Sequence, residues 1–394
     1  MDIRLSHRVG TVRPSPTLAV TARAAQMVRE GKDIVSLGAG EPDFDTPGPI
    51  KEAAIAAIQR GFTKYTAVGG TPELKAAVAA KFLRDNGLDY QTDEILVSVG
   101  GKQSFFNLCQ ALLDPGDEVI IPAPYWVSYP DMVLLAEARP VILPTVAAQR
   151  FKIGPEDLEA AITPRTRLLV INSPSNPSGV AYSPAELEAL GEVLRRHPGI
   201  LVASDDMYEK ILFRGMPFAN LAYVCPDLAA RCIIMNGVSK AYAMTGWRIG
   251  YCAGPRQLVA AMNTIQSQST SNPCSIAQAA AQAALESGDH LITPMLAAFE
   301  KRHDYVYQRL QSLPGVDVLA SDGTFYSFPG FQEFMARRGI SSDLELAEKI
   351  LEAGVAVVPG SAFGTPGHLR LSFATSEANL ALALDRISAF VLGY

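Results

Sequence analysis

Cysteine is scarce in this sequence and does not occur in an arrangement typical of a metal site. The chain of 394 residues contains five cysteines, namely Cys109, Cys225, Cys232, Cys252 and Cys274. No two of them form a C-x-x-C pair, and an odd number cannot form a complete set of disulfides. Three of the five lie in apolar segments, where a thiol packs as a small hydrophobic group. We therefore expect no metal site and a reducing compartment.

The sequence also lacks the features of secreted, membrane and nucleic-acid-binding proteins. The N-terminal residues, MDIRLSHRVG, contain no apolar signal core, and no apolar run is long enough to span a bilayer. The formal net charge is −6, and no basic stripe offsets it. Hydrophobic residues make up 48% of the chain and charged residues 19%, which is typical of a folded protein. These properties predict a cytoplasmic protein that binds neither nucleic acid nor a membrane.

Short β-rich runs alternate with helical segments between residues 94 and 254. The runs are EILVSV, DEVIIP, RPVILP, RLLVIN, ILVASD, CIIMN and RIGYCAG. Several are apolar almost throughout, which is typical of strands that are covered on both faces. Helical segments such as 102–113 and 184–196 lie between them. This alternation predicts an α/β fold with a mostly parallel sheet.

The flanking segments predict a second, smaller domain. Helical periodicity covers residues 16–31 and 48–61, each ending at a glycine, and a long helix is expected around 290–312. The C-terminal region holds four strand-like runs, namely VDVLA, TFYSF, VAVVP and LRLSFA. We therefore predict a large domain at 48–290 and a small α+β domain built from 1–47 and 291–394.

One lysine stands out after the run CIIMN. A short Gly/Ser segment presents Lys240, and Arg248 opens the next apolar run eight residues later. A lysine amine can form a Schiff base with an aldehyde, and an arginine can bind a phosphate. Pyridoxal phosphate carries both groups, so this spacing predicts a pyridoxal-phosphate site.

Ligands of open parallel sheets bind beyond the carboxyl ends of the strands, so polar residues at those ends are candidates. EILVSV leads into Gly101 and Lys102 at the start of a helix, where a cation opposes the helix dipole unless an anion binds nearby. RLLVIN is followed by Asn176, which lies in a loop rich in turn residues. ILVASD ends at Asp205, and Tyr208 follows three residues later.

Each of these residues has an ordinary structural explanation as well. Lys102 could be a solvated lysine, and Asp205 could cap a helix, with Asp206 as its confusable neighbour. Trp126, in PAPYWVSYP, could stack on a planar cofactor or belong to the core. Arg370, in HLRLSFA, could clamp a substrate carboxylate or form a structural salt bridge.

Several segments in order along the chain resemble one known family. They include RPSPTLAV, AGEPDFDTP, TKYTAVGG, VGGKQSFFNL, INSPSNPSG, ASDDMYE, SKAYAMTGWRIGY and LRLSFATS. The chain resembles the class I/II aminotransferases, which are pyridoxal-phosphate enzymes of fold type I. Within that family it is similar to the bacterial aspartate aminotransferases, a subgroup that includes aspartate/prephenate aminotransferases. The resemblance implies a large domain with a seven-stranded sheet and a small α+β domain.

The resemblance implies a role for each candidate at the cofactor ring. Lys240 would form the Schiff base with pyridoxal phosphate, and Asp205 would pair with the pyridine nitrogen. Tyr208 and Asn176 would contact the 3-oxygen of the ring, and Trp126 would stack on it. Lys240, Asp205 and Tyr208 are the residues implied in catalysis. Trp126 and Asn176 would also border the substrate.

The resemblance also implies the residues around the cofactor phosphate. These are Gly101, Lys102 and Arg248, with Ser239 beside the lysine. Tyr65 would reach the phosphate from a partner subunit, which implies a homodimer with a shared active site. Many relatives carry Ser or Thr where this chain has Gly237, so one phosphate contact is missing or replaced.

A third set of residues is implied in substrate binding. Arg370 would bind the α-carboxylate, and the Gly40 backbone would lie beside the substrate. Lys102 has a second implied role at the distal carboxylate of a dicarboxylic substrate. Ser15 and Thr17 lie on a segment expected to close over that end.

We therefore expect ping-pong transfer of an amino group from an L-amino acid, with aspartate the best candidate, to a 2-oxo acid such as 2-oxoglutarate. An aromatic or broad-specificity aminotransferase, including one that accepts prephenate, is the first alternative, because TFYSF brings aromatic residues. A pyridoxal-phosphate C–S lyase could use the same lysine, aspartate and arginine. A sensor domain fused to a DNA-binding module is a further alternative, although no helix-turn-helix segment precedes the fold.

Overall fold

The computed structural model describes residues 3–393. Within that range the chain forms twelve strands: β1 (Val35–Ser36), β2 (Ile95–Ser98), β3 (Glu118–Ala123), β4 (Arg139–Pro144), β5 (Thr166–Asn172), β6 (Leu201–Asp205), β7 (Cys232–Gly237), β8 (Gly250–Ala253), β9 (Tyr326–Ser327), β10 (Val355–Ala356), β11 (Val358–Pro359) and β12 (Leu369–Ser372). Seven of these strands form one large sheet, and the other five form two small ones.

Fourteen α-helices surround the sheets in the same part of the chain. They are α1 (Pro16–Arg29), α2 (Gly48–Gln59), α3 (Pro72–Asn86), α4 (Gly101–Leu112), α5 (Tyr129–Leu135), α6 (Pro155–Ala161), α7 (Pro184–Arg196), α8 (Leu221–Val224), α9 (Arg256–Ser267), α10 (Ser275–Glu286), α11 (Thr293–Gln311), α12 (Gln332–Arg338), α13 (Asp343–Glu352) and α14 (Glu377–Leu392). The helices predicted at 16–31, 48–61, 102–113, 184–196 and about 290–312 are all present. None of the fourteen is long and apolar enough to cross a membrane.

The large sheet confirms the predicted α/β class. Its strand order is β2-β8-β7-β6-β5-β3-β4, and every pairing is parallel except those of β8, which runs antiparallel to both neighbours. In β5 and β6, Asn172 lies opposite Asp205, so two polar residues meet at the carboxyl edge of the sheet. The topology therefore concentrates polar side chains at one edge.

Both faces of the large sheet are buried, as the apolar strand runs predicted. Along β2, Ile95 and Val97 pack into one hydrophobic cluster, while Leu96 packs into another on the opposite face. The period of two in a strand produces this separation. Because the faces are filled, the strand ends are the part of the sheet that remains available for chemistry.

Helix α7 illustrates how local sequence defines an element. The side chain of Ser183 accepts a hydrogen bond from the backbone N–H of Glu186, and Glu186 binds back to the N–H of Ser183, which forms a capping box. Leu187, Leu190 and Leu194 recur at helical spacing and are buried. The predicted boundaries of this helix, 184–196, match the observed ones.

The C-terminal strands are shorter than the sequence pattern predicts. β1 pairs with β10, and a second small sheet has the order β11-β12-β9. The run VDVLA is not a strand, so this prediction is wrong. Within this run only Asp317 forms a β-bridge, and its partner is Gly330. Ser321, the residue after the run, donates its N–H to the ring of the buried His303.

A third hydrophobic cluster joins the small sheets to α11 and α14. It includes Phe299, Val355 and Leu384, all of which are buried. It also takes in Tyr208 and Ile211, which lie within the segment assigned to the large domain. The division into 48–290 and the flanking segments stays a prediction.

Candidate active site

A cavity of about 370 Å³ opens at the carboxyl edge of the large sheet. Thirteen of the residues predicted for the site line it, namely Ser15, Thr17, Gly40, Gly101, Lys102, Trp126, Asn176, Asp205, Tyr208, Ser239, Lys240, Arg248 and Arg370. They come from segments that are far apart in the sequence. The fold therefore brings together nearly every candidate that strand-end position and resemblance had indicated.

The charges of the cavity lining are strongly unbalanced. Lys102, Lys240, Arg248 and Arg370 contribute four cations, and Asp205 contributes the single carboxylate among the lining residues. Because like charges held together repel each other, such a set is stable when anions bind among them. The cavity is therefore suited to a ligand, or a pair of ligands, that carries several negative charges.

Lys240 lies in the turn that follows β7, and its amine is enclosed by the cavity walls. Its Nζ donates a hydrogen bond to the carbonyl of Gly40 at 2.7 Å. Burial lowers the pKa of Lys240 from 10.5 to about 8, and the nearby charges of Arg248 and Arg370 act in the same direction. At pH 7 about 10% of the amine is then unprotonated, against roughly 0.03% at the ordinary pKa. Lys240 is thus prepared to act as a nucleophile and as a base.

Asp205 ends β6 with both carboxylate oxygens engaged. Oδ1 accepts a hydrogen bond from the backbone N–H of Met207 at 3.2 Å, and Oδ2 accepts a short one from the hydroxyl of Tyr129. The side chain of Asn172 donates to the Asp205 carbonyl at 3.0 Å. Burial raises the pKa of Asp205, while these donors oppose the rise. No helix begins at Asp205, so it is not a helix cap.

The structure separates Asp205 from its neighbour. Asp206 is buried away from the cavity, where it accepts hydrogen bonds from Ser204 at 2.6 Å and Asn220 at 2.9 Å. Burial raises the pKa of Asp206 to about 7. Of the two aspartates, Asp205 is the one that lines the cavity.

Arg370 lies on β12, where only 2% of its surface is exposed. One terminal nitrogen donates to the side chain of Asn176 at 3.0 Å and the other to the carbonyl of Gly38 at 2.8 Å. Its guanidinium lies 4.4 Å from the ring centroid of Tyr326, and Nε has no partner. Within residues 3–393 no carboxylate forms an ion pair with it. A buried arginine in this state is suited to bind a carboxylate from a ligand.

One wall of the cavity combines a helix start with two cations. Gly100 has φ +83°, and a Cβ there would collide with the guanidinium of Arg248. α4 begins at the next residue, Gly101, so its unpaired N–H groups face the same region. Arg248 is held by the carbonyl of Thr245 at 3.0 Å. Backbone donors, Arg248 and Lys102 thus form a surface suited to a phosphate.

Trp126 follows β3 and is half-buried, so it is not a core tryptophan. The ammonium of Lys102 lies 5.2 Å from the centroid of its ring, and the ring of Tyr129 meets it edge-on at 5.2 Å. Burial lowers the pKa of Lys102, and the charge of Arg248 lowers it further. The indole therefore borders the cavity as a flat apolar surface.

Some lining residues were not predicted individually. They are Leu18, Val127, Ser128, Asn172, Met207 and Tyr326. The hydroxyl of Tyr326 lies 3.0 Å from that of Tyr208, and burial raises the pKa of both phenols. TFYSF had indicated aromatic residues near the pocket without identifying which one. Asn172, at the end of β5, could have been found by the strand-end argument that identified Asp205.

Tyr65 is the one predicted site residue that does not line the cavity. Its side chain is 92% exposed. Its segment is held in place from beneath, because the side chain of the fully buried Gln278 binds Thr66 at 3.0 Å and the backbone of Thr71 at 2.8 Å. The predicted contact of Tyr65 with a cofactor phosphate stays a prediction.

Gly237, which replaces the Ser or Thr of many relatives, lies where the backbone is closely packed. A Cβ at this position would come within 3.1 Å of Gly250 Cα and 3.2 Å of the terminal methyl of Met207. A Cβ there would require β7, β8 and Met207 to shift by a few tenths of an ångström. Glycine avoids these close contacts.

The residues of this cavity fit pyridoxal phosphate. Lys240 supplies a partly unprotonated amine, and Asp205 supplies a buried carboxylate. Arg248 and the start of α4 offer a phosphate site, and Trp126 offers a flat surface. The unpartnered Nε of Arg370 leaves a further place for an anion. Residues 3–393 contain no cluster of His, Cys, Asp and Glu arranged to bind a metal ion.

Comparison with known proteins agrees with this geometry. The family model "Aminotransferase class I and II" matches residues 32–387. The chain is 58% identical, over 99% of its length and 100% of the relative's, to an aspartate/prephenate aminotransferase of Nitrosomonas europaea. The solved structure of an aspartate aminotransferase from Rhizobium meliloti is 50% identical, covers 98% of both chains and gives a TM-score of 0.95. An aspartate aminotransferase from Thermus thermophilus with maleate is 44% identical, covers 98% of this chain and 99% of its own, and gives a TM-score of 0.92.

Proposed function

The chain belongs to the class I and II aminotransferases and is a transaminase, and we propose that it moves the amino group of aspartate to 2-oxoglutarate with bound pyridoxal phosphate. The observation that carries this proposal is the lining of the cavity. Four cations face one carboxylate there. One phosphate and the two carboxylates of a dicarboxylic amino acid would balance that excess.

Lys240 is the proposed proton carrier. When bound, pyridoxal phosphate supplies an aldehyde that takes up the amino group and a ring that withdraws electrons from the substrate Cα. The pKa of about 8 leaves part of the Lys240 amine able to accept the Cα proton. The carbonyl of Gly40, 2.7 Å away, orients that amine. Lys240 can then return the proton from the same position, which a reversible transfer requires.

Asp205 and Tyr208 are proposed to tune the cofactor ring. The Tyr129 hydroxyl and the Met207 N–H fix the Asp205 carboxylate, so that it would hold a ring nitrogen in its protonated form. Tyr208 is paired with Tyr326, and its raised pKa keeps its phenol protonated. Tyr208 would therefore donate a hydrogen bond to an oxygen on the ring.

Arg370 and Lys102 are proposed to select a dicarboxylic substrate. Arg370 would take the α-carboxylate through the unpartnered side of its guanidinium. Lys102, in the first turn of α4, would take the distal carboxylate. Maleate, with which the Thermus relative was solved, is itself a dicarboxylate. Ser15 and Thr17 also line the cavity and are proposed to cover the end that binds the distal carboxylate.

We also propose that two copies of the chain form a homodimer. Tyr65 is 92% exposed, and Ile55 and Ile58 on α2 are also more than half exposed. Exposed large apolar side chains are common at subunit interfaces. Tyr65 would then reach the phosphate site of the partner copy. Sedimentation of the purified protein measures the mass, and a monomer at micromolar concentration contradicts the proposal.

Prephenate is the second candidate substrate. The Nitrosomonas relative bears that activity in its name. In this chain, Tyr326 and Leu18 give the cavity apolar surface beside its cations, which a ring-bearing dicarboxylate would use. Aromatic amino acids would use the same surface without engaging Lys102.

A panel of amino donors tests the proposal. Aspartate, phenylalanine and cysteine are each mixed with the holoenzyme and 2-oxoglutarate, and glutamate is mixed with oxaloacetate. Prephenate is then tried as acceptor with aspartate as donor. We expect the highest kcat/KM with aspartate and no turnover in a Lys240→Ala variant. Pyruvate and ammonia formed without an acceptor oxo acid would instead identify a lyase. Normal transamination by Lys240→Ala would contradict the role of that residue.

A further inference from the structure

The segment of residues 38–46, here named the Gly40 loop, supplies two carbonyl groups to the candidate site. The carbonyl of Gly38 accepts from Arg370 at 2.8 Å, and that of Gly40 accepts from Lys240 at 2.7 Å. Gly40 also packs closely, because a Cβ there would lie 3.0 Å from the hydroxyl of Tyr326. The position of this loop therefore affects two of the four cations of the cavity.

The backbone of the Gly40 loop does little to hold it in place. None of the N–H groups of residues 38–46 donates a hydrogen bond to another group of the described chain. The loop belongs to no helix or strand. Its position must therefore depend on side-chain contacts.

One side of the loop is attached to the segment that follows Lys240. The side chain of Glu41 accepts from the Thr245 hydroxyl at 2.8 Å, and Thr46 donates to the carbonyl of Ala243 at 2.7 Å. These bonds tie the loop to residues 243–245. They leave the middle of the loop to be held by another element.

That element is α11, through Arg302. Both terminal nitrogens of Arg302 donate to the two carboxylate oxygens of Asp43, at 2.7 and 3.0 Å. The guanidinium lies 5.2 Å from the ring centroid of Phe44 and 5.7 Å from that of Phe299, and Arg302 is only 8% exposed. A bidentate pair of this kind, stacked on two aromatic rings, fixes direction as well as distance.

We propose that Arg302 and Asp43 form a positioning pair that fixes the Gly40 loop, so that the carbonyl of Gly40 stays against the amine of Lys240. The pair touches neither reacting atom. It acts by keeping the amine enclosed and correctly placed, and a displacement of about 1 Å in an active site can cost a factor of about one hundred in rate. This inference rests on the proposed function, in which Lys240 carries the proton.

The test uses cofactor-free protein and does not depend on activity. Acetic anhydride is added at pH values from 6 to 11, and acetylation of Lys240 is measured by mass spectrometry, with the exposed Lys32 as internal reference. The midpoint of the profile gives the pKa of Lys240, whereas reagent access changes only its amplitude. The charged groups that influence this amine are Arg248, Arg370, Glu41 and Asp205.

The principal variant is Arg302→Met, which keeps an apolar side chain between the two rings and leaves the partly exposed Asp43 free to meet water. Burial is the largest cause of the low pKa of Lys240, and the charge of Glu41, which lies in the loop and raises that pKa, is a smaller one. Loosening the loop should therefore raise the pKa of Lys240 from about 8 by about 0.5 or more. In the holoenzyme, kcat/KM for aspartate should fall at least about tenfold. Asp43→Asn is the second variant, in case the first does not fold.

A matched control lies one residue away on α11. Lys301 forms an exposed pair with Glu377 at 2.8 Å and makes no contact with the loop. Lys301→Ala should therefore leave the Lys240 midpoint unchanged and kcat/KM for aspartate within about twofold of the unaltered enzyme. If Arg302→Met and Asp43→Asn lower the melting temperature but leave the Lys240 midpoint at its original value or below it, the pair is only structural and the inference fails. Absence of aspartate transamination in the unaltered enzyme would contradict the proposed function, while the titration would still decide this inference.

Discussion

Replacing Lys102 should separate dicarboxylic from aromatic substrates. In the proposed function Lys102 binds the distal carboxylate of aspartate, which phenylalanine lacks. The variant Lys102→Met keeps most of the side-chain length and removes the charge. The Lys102 charge is not among the main causes of the low pKa of Lys240, so proton transfer should be little affected.

The magnitude follows from the surroundings of Lys102. Loss of one partner of a fully buried ion pair costs about 2–5 kcal/mol. Lys102 keeps more than a third of its surface exposed, and water screens part of its charge. We therefore expect about 1.5 kcal/mol, which is roughly a tenfold loss of kcat/KM for aspartate. For phenylalanine the loss should stay within about twofold.

The assay follows the absorbance of the bound cofactor when each amino acid is mixed with the holoenzyme in a stopped-flow instrument. Lys102→Arg keeps the charge and serves as the matched control, with an expected loss below about threefold for both substrates. Equal losses for aspartate and phenylalanine in Lys102→Met would refute the reasoning. Lys102 would then act at the cofactor phosphate, which is its other implied role.

Three further predictions follow from the geometry. Arg370→Gln should lower kcat/KM for aspartate and phenylalanine alike, by about a hundredfold or more, because both carry an α-carboxylate; a loss confined to aspartate would contradict this role. In cofactor-free protein above pH 10.5, the Lys240 amine is neutral in both the folded and the unfolded chain, and burying it carries no charge penalty. As the pH falls from 10.5 to about 8, the unfolded chain takes up the proton first, so the folded state loses stability. Lys240→Met should therefore exceed the unaltered protein in urea-unfolding free energy by about 3 kcal/mol at pH 7, and a pH-independent difference would contradict the lowered pKa. Gly237→Ser should destabilise the protein by about 1–3 kcal/mol through its contact with Gly250, while Gly246→Ser, which meets open space, should not.

The site could be predicted largely because parallel strands place their carboxyl ends together. Asp205 ends one strand and Lys240 follows its neighbour, while Gly101 and Trp126 follow two others, so position in a strand pattern was enough to group them. Arg370 lies far along the chain on a strand of a separate sheet. Pattern alone indicated that it needed an anion, and the resemblance supplied its place in the site.

Other features depend on contacts that no local pattern records. Tyr326 enters the cavity because β9 packs beside β12, and its neighbours in TFYSF are equally aromatic. The run VDVLA alternates like a strand, but the one β-bridge in it joins Asp317 to Gly330. The apolar run of β8 gave no indication that this strand runs antiparallel to its neighbours.

The anchoring of the Gly40 loop is a third case. Arg302 lies on α11, more than 250 residues from Asp43, and a single arginine on a helix carries no sequence signal of its own. The segment GEPDFDTP is rich in turn-forming residues, which are typical of a loop. Only the packing of α11 against that loop identifies the partner.

Borohydride reduction of the purified holoprotein tests the central claim most directly. After reduction and proteolysis, mass spectrometry should find a pyridoxyl group covalently attached to the peptide that contains Lys240, at close to one group per chain. The same treatment of Lys240→Ala should leave the chain unmodified. A pyridoxyl group on another lysine, or no adduct in the unaltered protein, would contradict the account.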